Sequence, residues 1–329
     1  MNYYDLYYRT HPIGTKYSII IHGGASGYTK EDFERLSLEA GDEFPELKNL
    51  ECLLNQFIYE YLEKADNMLK NGASAEDVCV SVISMLENNE LFNAGKGGMK
   101  TVNGLFQMDA SLMDGDKNYG ATTLVQKIKN PIRMCQYLKN QYGVKMLGGN
   151  DADVWAETNG LDIIRNPSEY FNSPIKNKIN EILKRKDKPN YGTVGCVVKD
   201  IYGKLCAGTS TGGINNKLDG RIGDSPIIGA GTYCSNEMGG ISCTGTGEMF
   251  IRDCVAFNTL LLYNRRNVKS DRLSDFMKES LNNLPTQSGG IIGITPEGEC
   301  FSYYTSRSMI YGYIQQSGPI ITEMWKPLL

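Results

Sequence analysis

Histidine is the scarcest informative residue in this chain: two in 329 residues, His11 and His22. A Ser–His–Asp hydrolase needs a histidine base beside its serine, and a zinc site draws on clustered His and Cys. Gly208-Thr-Ser210-Thr-Gly212 satisfies the G-x-S-x-G pattern, but there the histidine should follow the serine, and both histidines lie far upstream. The nine cysteines contain no C-x-x-C pair; they read as reduced thiols, most of them in the core of a cytoplasmic protein. Asn166-Pro-Ser168, a glycosylation-like triplet, is blocked by its proline.

Other absences narrow the field further. No apolar run approaches the ~18–20 residues that span a bilayer, and the Tyr-rich start, MNYYDLYYRTHP, lacks the apolar stretch of a signal peptide. Basic residues do not dominate: 34 Lys and Arg stand against 38 Asp and Glu. That balance argues against nucleic acid or an anionic membrane as partner, because both need a basic footprint. There are 36 glycines, yet no G-x-x-x-x-G-K-S/T string, and Gly229-Ala-Gly231 continues as Thr-Tyr-Cys rather than completing G-x-G-x-x-G. A nucleotide cradle is therefore not expected.

What is present reads as a layered α+β chain. Ser18–Ile21 is a short buried strand running into His22-Gly23-Gly24. Residues 46–71 are helical by spacing, ended by Asn71-Gly72, and Ser74 with Asp77 caps a second helix. Gly104–Met113 is strand-like, and a further helix begins near Asn130-Pro131. Residues 166–191, with six lysines and arginines, read as a solvated linker carrying a short helix at 175–186. Strands follow at 193–199, 204–209 and 240–244, helices at about 248–264 and 270–283, and two last strands at 289–294 and 300–305. Strands followed by helices in each half suggest a sandwich of layers rather than βαβ units.

A hydrolase without histidine can activate a threonine hydroxyl with the threonine's own α-amine, once cutting the chain has made it terminal. That amine has a pKa of about 7.7–8.0, close to operating pH. Gly192-Thr193, between the linker and a β-branched strand, is placed for this.

Here the chain resembles the plant-type asparaginase (isoaspartyl peptidase) family of N-terminal-nucleophile hydrolases. Seven motifs carry the likeness in order: His22-Gly-Gly-Ala25; Leu91-Phe-Asn-Ala-Gly-Lys-Gly97; Met108-Asp-Ala-Ser-Leu-Met-Asp-Gly115; Gly192-Thr-Val-Gly195; Thr209-Ser-Thr-Gly-Gly213; Gly220-Arg-Ile-Gly-Asp-Ser-Pro226; and Thr244-Gly-Thr-Gly-Glu248. The resemblance implies a four-layer αββα sandwich in one domain, 1–329. It also implies cleavage into 1–192, with a flexible C-terminal linker at about 166–192, and 193–329, and association as a dimer of αβ units.

It further implies that Thr193 is the nucleophile released by cleavage after Gly192, with Thr211 bonding the nucleophile's surroundings. Arg221 would hold the substrate α-carboxylate, a fork geometry Arg suits, and Asp224 the α-ammonium. Thr244 and the Gly245 N–H would form an oxyanion hole, with Gly247 touching the substrate amine and Asn93 lining the pocket. Leu86, Glu87, Asn89, Phe92, Ala94 and Lys96 match a loop whose carbonyls wrap a structural sodium or other monovalent cation; no cofactor is expected to be required. His22 reads as structural.

The activity expected is hydrolysis of the L-asparagine side-chain amide and of β-aspartyl (isoaspartyl) peptides, with small molecules and a second copy of the chain as partners. The alternatives are a glycosylasparaginase-type amidase, where Asn or Asp is usual in place of Thr246, and a precursor that binds β-aspartyl ligands without maturing. Three features depart from the family: Ser26 where glycine is common, Tyr191 before Gly192 where histidine is frequent, and the 16-residue N-terminal extension.

Overall fold

The computed structural model describes residues 16–183, 192–266, 276 and 288–325. The strands, in chain order, are β1 Ser18–Ser26, β2 Met108–Asp114, β3 Tyr119–Val125, β4 Met146–Gly148, β5 Val194–Lys199, β6 Leu205–Thr211, β7 Thr232–Ser235, β8 Gly239–Gly245, β9 Gly289–Ile294, β10 Cys300–Tyr304, β11 Ser308–Ile314 and β12 Ile320–Glu323. The helices are α1 Lys30–Glu39, α2 Leu50–Lys70, α3 Ala75–Glu87, α4 Pro131–Lys139, α5 Gly149–Thr158, α6 Pro167–Tyr170, α7 Pro174–Leu183, α8 Gly247–Asp253 and α9 Val255–Arg265.

Eight strands form one sheet in the order β12-β11-β1-β5-β6-β2-β3-β4, and four form another, β10-β9-β8-β7. All pairings are antiparallel except β3 with β4. Along β1 and β5, Ile19, Ile21, Val194, Cys196 and Val198 join a core with α2 and α3. Their neighbours Ile20 and Val197 instead meet Ile292 and Ile294 of the four-stranded sheet. Cover on both faces is why these strands read as unbroken apolar runs, with no polar alternate. The far face of the smaller sheet packs Ile241, Cys243 and Ile291 against Phe250, Val255, Ala256 and Leu260 of α8 and α9.

Local signals set the helix boundaries. Thr29 and Asp32 form a reciprocal capping box at α1, the Asp32 N–H reaching Thr29 Oγ1 at 3.2 Å and the Thr29 N–H reaching Asp32 Oδ2 at 2.9 Å. Ser74 accepts from the Asp77 N–H at 3.1 Å, as expected at the start of α3. The helix expected at about 46–71 opens as a 3₁₀ segment, Pro45–Asn49, before α2.

Four expectations are corrected. The helix at about 248–264 is two helices, because Cys254 adopts a left-handed φ of 45° between α8 and α9. The strand expected from Gly104 starts only at Met108, with 104–107 in a turn and bridge. The strand at 300–305 is not near the last: β11 and β12 follow and complete the large sheet, β11 pairing directly with β1. Their Tyr- and Gly-rich sequence carries no clear period-two apolar pattern. Finally, the stretch read as a solvated linker is folded as far as residue 183: α7 buries Ile179, Ile182 and Leu183 and packs on α1. Residues 184–191, the N-terminal extension and all of the 270–283 helix except Phe276 lie outside the described residues.

Candidate active site

Thr193 stands one step before β5, whose Val194 pairs with Ser210 of β6. That register brings Thr193 against Thr211, and the Thr193 hydroxyl donates to Thr211 Oγ1 at 3.0 Å. Thr211 Oγ1 also accepts the Gly213 N–H at 2.9 Å. Gly213 in turn accepts from Asn93 Nδ2 at 2.6 Å, and the Gly212 N–H donates to the Asn93 carbonyl at 3.0 Å. Asn93 Oδ1 is buried with no partner among the described residues. Thr193, Thr211 and Asn93 are all buried. Pairing across two strands and a loop holds them together.

Gly24 explains why the first motif sits at the end of β1. Its φ is +114°, and a Cβ there would lie 2.3 Å from Gly192 Cα and 3.1 Å from the Thr193 carbonyl oxygen. Only glycine lets this backbone rest on the Gly192–Thr193 peptide. Next in line, the Ala25 N–H donates to the buried Thr244 Oγ1 at 3.0 Å, joining the end of β8 to the same place. Since the backbone N–H donates to Thr244, the threonine's own proton stays free to donate onward. Gly245 lies against Ser288 and Gly289, across the β8–β9 pair.

His22 is fully buried and pushed down to about 3 by that burial, the nearby Thr193 backbone opposing. It therefore stays neutral. Its Nε2 meets Ser242 Oγ at 3.1 Å, at the end of a chain of hydroxyls: Ser242 to Thr209 at 2.7 Å, Thr209 to Thr232 at 2.5 Å, and Thr232 to Ser111 at 2.8 Å.

A second group is charged. Arg221 grips Glu248 with two parallel bonds, Nε to Oε1 and Nη2 to Oε2, each 2.9 Å. Asp224 is buried beside it, Oδ2 lacks a hydrogen-bond partner among the described residues, and burial lifts its pKa to about 7 against the pull of Arg221. Gly247, the first residue of α8, presses on Asp224: a Cβ there would meet Asp224 N at 2.8 Å and Oδ1 at 2.9 Å. Burial also lifts Asp109 to about 6, with Lys217 opposing.

Glu248 and Asp109 lie inside motifs that carry the resemblance but had no assigned role. A pairing of Arg221 with a residue 27 positions on leaves no periodic trace in a sequence.

The six residues expected to face a sodium ion lie at the end of α3 and in the turn after it. The Leu86, Asn89, Phe92 and Ala94 carbonyls already accept backbone N–H groups from Asn89, Phe92, Ala94 and Gly97, respectively. The Glu87 side chain is turned elsewhere. It accepts from Ser210 Oγ at 2.7 Å and the Ile132 N–H at 3.0 Å, and burial raises its pKa to about 7. Asn89 Nδ2 donates to Tyr61 OH at 3.0 Å. Lys96 closes the loop within a 3₁₀ turn, Gly95–Gly97. The Lys176 ammonium, from α7, donates to Gly97 O and stands 3.5 Å from Phe92 O. Burial pushes the Lys176 amine down to about 7, with Glu90 opposing, and its protonated form would face a sodium ion on Phe92 O as a second positive charge, so the two do not fit there together.

A buried threonine at a strand start, neighbouring hydroxyls and a charged group with an unmet carboxylate oxygen mark the chain as a hydrolase. It belongs to the asparaginase family, whose model matches residues 15–322. An isoaspartyl peptidase of Salmonella typhimurium is 34% identical over 90% of this chain and 95% of its own length. An isoaspartyl peptidase/L-asparaginase of Rattus norvegicus is 35% identical over 80% of each. A probable isoaspartyl peptidase/L-asparaginase of Arabidopsis thaliana is 33% identical over 78% of this chain and 88% of its own. No helix among the described residues is long and apolar enough to cross a membrane.

Proposed function

We propose that this chain cuts itself between Gly192 and Thr193. It then hydrolyses the side-chain amide of L-asparagine and the β-aspartyl bond of isoaspartyl peptides, releasing L-aspartate. The observation that carries the reading is the 3.0 Å bond from the Thr193 hydroxyl to Thr211 beside the Gly24-pressed Gly192 peptide.

In maturation the Thr193 hydroxyl adds to the Gly192 carbonyl carbon, the Gly192–Thr193 C–N bond breaks, and the hydroxyl proton passes to the Thr193 nitrogen. Water opens the resulting ester, leaving Thr193 with a free amine. In turnover that amine takes the hydroxyl proton as Oγ1 attacks the β-carbonyl. The leaving amine departs protonated, and water then frees aspartate from the enzyme ester. The Thr244 hydroxyl and the Gly245 N–H supply donors to the oxyanion, and Thr211 with Asn93 hold the nucleophile in place. Arg221 receives the α-carboxylate. Asp224 takes the α-ammonium on its unmet oxygen, with Gly247 contributing close backbone.

The layers of the fold read as αββα, α2 to α4 on the large sheet and α8 and α9 on the small one. The working unit reads as a dimer of αβ units in the cytoplasm. Denaturing electrophoresis with ammonia detection tests the proposal: two fragments, the smaller starting at Thr193, together with ammonia release from asparagine. One intact band and no ammonia after prolonged incubation would sink it.

A further inference from the structure

Lysine side chains normally carry their charge out to water along an apolar stem. Lys176 does not. Its half-buried side chain runs inward from α7 and ends on backbone carbonyls: it donates to Gly97 O, and Phe92 O lies 3.5 Å away. No ion pair engages it among the described residues. An amine placed among acceptors, with its stem lining the cavity that also borders Gly192, Asn93 and Gly24, is held there by those acceptors. The helix that delivers it is anchored independently by Ile179, Ile182 and Leu183.

The loop it holds is connected to the nucleophile without a gap. Asn93 lies between Phe92 and Gly97. From it the hydrogen bonds run to Gly213 at 2.6 Å, from the Gly213 N–H to Thr211 Oγ1 at 2.9 Å, and from Thr193 to Thr211 at 3.0 Å. Movement of the 92–97 loop would therefore move the partner of Thr193. We propose that the Lys176 ammonium is the resident cation of this loop and a positioning residue for Thr193, so that this chain needs no monovalent metal ion there. The carbonyl that a sodium ion would use on Phe92 faces a covalently tethered positive charge.

Two readings on the whole protein test this, and neither needs turnover, so they stand apart from the proposed amidase activity. In sodium-23 NMR, the wild-type protein should give no saturable broadening of the sodium line, and its melting midpoint should be equal in sodium chloride and choline chloride at matched ionic strength. Lys176→Met, which keeps the length and removes the charge, should melt lower in choline chloride and regain its midpoint saturably with sodium. Its asparagine turnover should fall about tenfold in kcat with KM little changed, the size of one lost positioning bond, and sodium should restore it. Lys176→Arg should keep the wild-type indifference to sodium. Saturable sodium binding by the wild-type protein overturns the proposal, as does a Lys176→Met protein that matches wild type in choline chloride. If Lys176→Met does not fold, the wild-type titration and the arginine variant decide alone.

Discussion

The two halves of the candidate site are built from different materials. Around Thr193 there are hydroxyls, an amide and a histidine held neutral by burial. Around Asp224 there are a guanidinium, three carboxylates and an ammonium within one cluster: Arg221, Glu248, Asp224, Asp109 and Lys217. The first half is built of neutral groups joined by hydrogen bonds. The second half holds charges of both signs. The contrast follows from cost. A charge beside Thr193 without hydrogen-bond acceptors or donors around it would be expensive to bury, while buried carboxylates with unmet oxygens would favour a ligand that brings an ammonium.

The largest effect should come from breaking the neutral half. Thr193→Ala should stop both self-cleavage and ammonia release, a loss on the order of 10⁴-fold or more. Continued asparagine hydrolysis by that variant would show that the nucleophile lies elsewhere. Asp224→Asn strikes the charged half. It should lower kcat/KM for asparagine by about 10²–10³-fold, as for one partner of a buried charge pair, and leave self-cleavage intact. A variant that also fails to self-cleave would mean that the two halves are not separable.

The third effect is on stability against pH. Below about 6.5 an unfolded chain protonates His22, whereas the folded chain keeps it neutral down to about 3. Folding should therefore weaken as pH falls through that window. Asp224 and Glu87, both raised to about 7, act oppositely: the folded chain keeps protons that the unfolded chain releases, so their contribution falls as pH rises from about 4 to 7. Unfolding free energies of His22→Gln, from urea titrations, should thus fall by a few kcal/mol less in acid than those of wild type. Parallel curves for the two proteins would refute the buried neutral histidine.

Next, Thr211→Val removes one hydroxyl from the nucleophile's shell and should slow cleavage and turnover about ten- to a hundredfold, or about 1–3 kcal/mol. Unchanged rates would leave Thr211 a packing residue. The smallest effect belongs to Glu248→Gln. Glu248 is half exposed and occupies the Arg221 fork that the proposed function assigns to a substrate carboxylate. Its neutralisation should lower KM a fewfold, about 0.5–1 kcal/mol, without moving kcat. A raised KM would mean that Glu248 orients the fork instead.

Much of the site was legible before any coordinates. Thr193, Thr211, Asn93 and Thr244 stand in short motifs, and each is buried where strand pairing or a cross-sheet bond brings it into contact. The Arg221–Glu248 pair was not legible, because contact between a loop and a helix start 27 residues apart leaves no period. Nor was Lys176: a lysine-rich stretch reads as solvated unless one knows that Ile179, Ile182 and Leu183 turn the same helix inward. The terminal strands β11 and β12 were missed for a similar reason. Gly312 has no Cβ and packs closely against Ile58 and Leu62 of α2, so a buried position carries no apolar letter.

The amino-acid sequence by itself determined that only two histidines are available to any chemistry, and it placed a threonine at a glycine-preceded strand start. It also determined which strands would be covered on both faces, since unbroken β-branched runs have no polar side to offer water. Only the tertiary structure decided which charges meet, that Asp224 and Asp109 each keep an oxygen without a hydrogen-bond partner among the described residues, and that the Lys176 amine from α7 ends on the loop next to Thr193. Hydrophobic pattern is local and repeats with the backbone, whereas charge contacts depend on where distant loops finish once the layers have packed.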